Sequence, residues 1–166
     1  MQPPLLAEEV LSRVLRLARV DGLGVLWLAT FFALTAAAAG DIPGAVAWLI
    51  IAGAGAVELH GATLLRQLEA RGLNWIVASQ GLLLVAVLGY CAQRLAHYDP
   101  TALREALTDE MKATLAQANY DQEEFLHTVY ITTYAVMGGV ALLYKGGLAL
   151  YFHRRRASVT AAVDAV

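Results

Sequence analysis

The sequence predicts an all-α integral membrane protein, four transmembrane helices in a bundle. Three observations predict it: four apolar runs long enough to cross a bilayer, turn-forming residues between them, and scarce charge, 16% of 166 residues against 58% hydrophobic. An average soluble domain carries about 25% charged residues, and a crossing takes about 20 apolar residues of helix. The formal net charge of -2 and the scattered basic residues leave no footprint for nucleic acid. The single cysteine, Cys91, excludes an intramolecular disulfide or a thiolate metal cluster and reads as packing.

The first element is an N-terminal amphipathic helix. Within residues 1–20, Leu6, Val10, Val14 and Leu17 recur at helical spacing, with Glu8 and Glu9 early and Arg13, Arg16 and Arg19 late. Such a helix lies along the membrane surface or packs on neighbouring protein. The first span covers about residues 22–40, bounded by Asp21 and by Gly40-Asp41. Three arginines, an apolar run and Ala36-Ala37-Ala38 also fit a cleaved leader, but the long, acid-containing lead argues for a retained helix.

The second span, about 42–65, starts after a turn with Pro43 in its first positions, where proline is preordered for helix. So short a link makes the first two spans an antiparallel hairpin. Small residues including Ala52, Gly55, Gly61 and Ala62 allow close helix contact in lipid. The third span covers about 72–93, with Trp75 towards one end and Tyr90 and Tyr98 towards the other, as interfacial aromatics are placed. In the long connection from His97 to Glu124, Asp99-Pro100-Thr101 begins a helix on which Leu103, Leu107, Met111 and Leu115 repeat every four residues. Asp121 and Glu124 have the spacing of a capping box before the fourth span, about 127–152. Residues 1–156 thus form one four-span domain, and 157–166 a flexible C-terminal tail.

Orientation follows the basic residues. Arg13, Arg16, Arg19, Arg66, Arg71 and Arg154 to Arg156 fall on one side of a four-span chain, whereas the opposite side has only Arg94, Arg104 and Lys112 against Asp99, Glu105, Asp109, Glu110, Asp121, Glu123 and Glu124. Both termini are therefore expected in the cytoplasm, the connecting helix outside it, and the protein in the plasma (inner) membrane.

Polar residues inside the spans mark the candidate site. Lys145 interrupts the last apolar run, and a lysine at a membrane helix centre costs about 2.5 to 3.5 kcal/mol, so it asks for a partner. Lys145 lies nine residues from Arg154, Glu58 eight from Arg66 and Gln80 nine from Arg71, each roughly 12 to 14 Å from that charged boundary at 1.5 Å per residue. Glu58 and Lys145 both sit on faces of small residues. The expectation is a polar layer of Glu58, Gln80 and Lys145 in the inner half of the bilayer, with Glu58 the counter-ion of Lys145 within or between subunits. The bland alternative is a buried pair that only fixes helix register.

Four histidines raise a cofactor question. His60 and His153 differ in depth by about 7 Å, which disfavours an axial pair; His97 and His127 flank the long connection and are the remaining metal or haem candidates. No phosphate loop, His-Glu-x-x-His pattern or nucleophile elbow is present, so no enzyme and no cofactor are expected. The function expected is membrane transport by a homo-oligomeric channel for a small inorganic ion. The alternatives are a non-conducting scaffold or accessory subunit docking partners through its amphipathic helices and, behind it, a haem-binding electron-transfer subunit. The lipid bilayer is the constant partner.

Overall fold

A computed structural model describes residues 7–165. Among them are seven helices and no strand: α1 (Ala7–Ala38), α2 (Ile42–Arg66), α3 (Arg71–Ala96), α4 (Thr101–Ala106), α5 (Asp109–Gln117), α6 (Gln122–Arg154) and α7 (Arg156–Asp164). Helices α1, α2, α3 and α6 are long and apolar enough to cross a membrane. Their outward faces are apolar, with Trp27, Val85 and Leu143 each at least 70% exposed, as in a protein solvated by lipid.

Local chemistry sets the ends. Gly40 takes φ +77°, a left-handed conformation that glycine adopts without a side-chain clash, and the Asp41 carboxylate accepts from Gly44 N–H at 3.0 Å to cap α2. Asp121 caps α6 in the same way, accepting from Glu124 N–H at 2.9 Å. Between α4 and α5 the chain extends at Leu107, and Thr108 caps α5. The single connecting helix expected over Thr101 to Leu115 is thus two short ones.

The amphipathic segment and the first span are one helix. α1 runs unbroken for 32 residues, because nothing between Val20 and Leu26 interrupts it: there is no proline, and Gly22 and Gly24 are helical. The expected division at Asp21 is replaced by a continuous helix whose stripe Val10, Val14, Ala18 is buried. Leu6 lies outside the described residues.

The tail also differs from expectation. Residues 156–164 form α7, which folds back against α1. Val159 and Ala162 are buried, and Arg156 donates to the Asn74 side-chain oxygen at 2.9 Å. Three apolar residues at helical spacing, Val159, Ala162 and Val163, give α7 a face to bury, which outweighs its weak patterning.

α1 packs on α2, α2 on α3, and α3 on α6, whereas α6 makes little backbone contact with α1. Two glycine approaches bring the first three helices close. A side chain at Gly72 would meet the Gly61 carbonyl oxygen at 2.4 Å, and one at Gly55 would meet the Gly22 carbonyl at 3.0 Å. Two apolar clusters fill the interior. One gathers Val14, Ala18, Leu65, Ile76, Phe152 and Val159 near the chain termini; the other gathers Ala29, Ile51, Ala54 and Leu83 nearer Gly40.

Candidate functional site

Four polar side chains occupy the level between these clusters. They are Asp21 from α1, Glu58 from α2, Gln80 from α3 and Lys145 from α6, exposed by 7%, 0%, 0% and 5%; Ser79, also buried on α3, donates to the Ile76 carbonyl of its own helix at 2.8 Å. Ala18, Ala62, Ile76 and Leu148 close the layer on one side, and Ala54 and Leu83 on the other. The layer is polar, dry-walled and occluded.

The counter-ion of Lys145 is Asp21. Lys145 Nζ donates to Asp21 Oδ2 at 2.5 Å. Gln80 Nε2 donates to the same oxygen at 3.3 Å, and the Tyr144 hydroxyl donates to Asp21 Oδ1 at 3.2 Å. Asp21 is therefore the hub, with charge-assisted bonds to both oxygens. Both α6 donors reach across the seam where α1 and α6 otherwise barely touch, and so fasten the open side of the bundle.

Glu58 lies near Lys145 and close enough to Asp21 and Gln80 for a shared proton or the amide to reach it; in the geometry present neither of its carboxyl oxygens accepts a hydrogen bond, and Gln80 Oε1 is likewise without a partner. An unsatisfied buried oxygen costs about 1 to 3 kcal/mol, more when charged. Three such acceptors meet in a layer that holds two carboxyl groups against one ammonium.

The structure thus brings Glu58, Gln80 and Lys145 to one level and adds Asp21 and Tyr144. In the sequence Asp21 stands at the edge of an apolar run and reads as a boundary, whereas α1 carries it through into the interior. The signal that could have found it is the apolar stripe of α1: Val14, Ala18, Asp21, Val25 and Ala29 follow at three- or four-residue steps and put the carboxylate on the buried face.

The histidines are occupied differently. His97 Nδ1 lies 3.1 Å from the Gln93 carbonyl oxygen, the His127 ring stands edge-on to Tyr98 with centroids 5.1 Å apart, and His60 does the same with Trp75 at 5.8 Å. Among the described residues no group of three or more His, Cys, Asp or Glu side chains is arranged around a common point. Cys91 is buried. The chain matches no family model, no curated protein and no solved structure.

Proposed function

We propose that this is a membrane transport protein whose occluded layer of Asp21, Glu58, Gln80 and Lys145 takes up and passes a small inorganic cation, the proton first among them. The observation that carries this reading is Glu58: fully buried, without a hydrogen-bond donor on either oxygen, beside an ion pair that is already complete. A pair that served only helix register would be better without a second carboxyl at its side. Two carboxyls and one ammonium balance when one cation joins them. The unpartnered oxygens of Glu58 and Gln80 supply the acceptors, and ionisable groups at membrane depth commonly mark ion pathways.

The charged groups face the protomer interior, so this transport needs no pore between copies; a homo-oligomer, expected from the sequence, would carry one layer per subunit. With both termini in the cytoplasm of a cell with an inner membrane, the layer lies in the inner half of the bilayer, and the acidic connection opposite raises the local cation concentration outside. The non-conducting accessory subunit remains the second reading, favoured by α5, which has no buried residue and is free to dock.

Reconstitution separates the two. Purified full-length protein in liposomes loaded with a pH-sensitive dye, under a potassium diffusion potential, should admit protons faster than protein-free liposomes. If sodium on the outside is required, sodium is the cation carried. Acidification at the protein-free rate, with no sodium uptake, rejects transport and leaves the accessory subunit.

A further inference from the structure

The opposite end of the bundle holds a second constellation. A cavity of about 780 Å³ opens there between the ends of α1, α2, α3 and α6, beneath α4. Small-molecule sites run from about 300 to 1,000 Å³. Its wall is a continuous run of rings: Phe32 stacks on Trp48 with centroids 4.9 Å apart, Trp48 meets Tyr90 at 6.0 Å, Tyr90 meets Tyr134 at 6.0 Å, and Tyr134 meets Tyr130 at 4.8 Å. The Tyr130 hydroxyl donates to the carbonyls of Arg94 at 2.9 Å and His97 at 3.3 Å, which fixes this wall to the end of α3.

The charge of the lining is one-sided. Asp41, Asp99 and Glu105 face a single guanidinium, Arg94. Arg94 is already engaged: it is salt-bridged to Asp41, donates from Nε to the Tyr90 hydroxyl at 3.3 Å, and lies 5.3 Å from the Tyr90 ring centroid. Asp99 accepts from the Thr101 hydroxyl at 2.6 Å and from Thr101 N–H at 3.1 Å, bonds that hold its carboxyl below the usual range and keep it charged. An anion would find no free cation here. A positive group finds the carboxylates of Asp99 and Glu105 and the half-buried ring of Tyr134, whose quadrupole attracts cations.

We propose that this cavity binds the ammonium group of an amphiphilic organic cation, with the charge between the ring of Tyr134 and the carboxylate of Asp99, and the apolar body against Phe32 and Trp48. A free quaternary ammonium compound and the choline headgroup of a lipid share this chemistry. The site is separate from the Asp21–Lys145 layer and stands whether or not that layer conducts.

Calorimetric titration of the full chain in phosphatidylglycerol nanodiscs tests it, with empty nanodiscs as the blank. Benzyltrimethylammonium should bind saturably, about tenfold or more tighter than its neutral isostere neopentylbenzene or the anion benzenesulfonate. Tyr134→Leu should weaken the cation about tenfold, and Gly53→Ala, outside the cavity lining and with nothing within 4 Å of the added methyl, should leave it unchanged. Asp99→Asn, on the exposed connection, should weaken it several-fold and serves as the probe if Tyr134→Leu does not fold. Repetition in phosphatidylcholine nanodiscs assigns the source: loss of probe binding identifies the lipid headgroup, and unchanged affinity a free cation. Equal binding of the isostere, or no effect of Asp99→Asn, overturns the proposal.

Discussion

Lys145 Nζ and Asp21 Oδ2 meet at 2.5 Å across 124 residues of sequence, and both side chains are almost wholly buried. The contact joins α6 to α1 where these helices share little other surface. Removing one partner leaves a buried charge alone, which costs about 3 to 5 kcal/mol, whereas removing both removes the problem as well as the bond. Lys145→Met, which leaves the carboxyls of Asp21 and Glu58 without an ammonium, should lower the unfolding free energy in detergent by about that much; Asp21→Asn, which leaves Lys145 with Glu58 beside it, should lower it by less, and the double variant should be more stable than Lys145→Met alone. Additive losses in a double-mutant cycle would mean that the pair is not coupled.

Gly72 and Gly61 set the α2–α3 distance, and with it the separation of Glu58 and Gln80. A methyl group at residue 72 would lie 2.4 Å from a backbone oxygen, so the helices must separate. Gly72→Ala should therefore destabilise by about 1 to 3 kcal/mol. Gly53→Ala, with nothing within 4 Å, should be close to neutral. Equal thermal midpoints for the two variants would contradict the packing described.

Val159 is fully buried in the cluster that joins α7 to Val10, Val14 and Phe152. Placing a carboxylate there exposes the cluster to an unpaired charge. Val159→Asp should release α7, read as protease cleavage after Arg155 or Arg156 by trypsin at a rate at least several-fold above wild type. An unchanged digestion pattern would show that α7 is not held by this contact.

The spans and the meeting of Glu58, Gln80 and Lys145 were legible because both follow from counting. Apolar run lengths locate four crossings, and a rise of about 1.5 Å per residue brings Glu58, Gln80 and Lys145 to one level. Asp21 was hidden by the same rule that found the spans: a charge ending an apolar run reads as a boundary, although the helix passes through it. The partner of Lys145 could not be chosen by depth, since Asp21 and Glu58 both lie near it; the tertiary fold makes the choice, bringing Lys145 Nζ onto Asp21 Oδ2. The folding of α7 back on α1 depends on a tertiary contact that short-range pattern does not contain.

Glu58 is where the transport account is most exposed. Glu58→Gln keeps the side chain's shape, removes the second carboxyl and supplies an amide donor where none exists now, so the variant should fold with a thermal midpoint equal to or above that of the wild type. The most direct measurement is proton and sodium flux into liposomes carrying this variant at matched protein density. The account predicts flux at the level of protein-free liposomes from a fully folded protein; flux equal to wild type would contradict it, because the cation would then be passing without the carboxyl that is proposed to receive it.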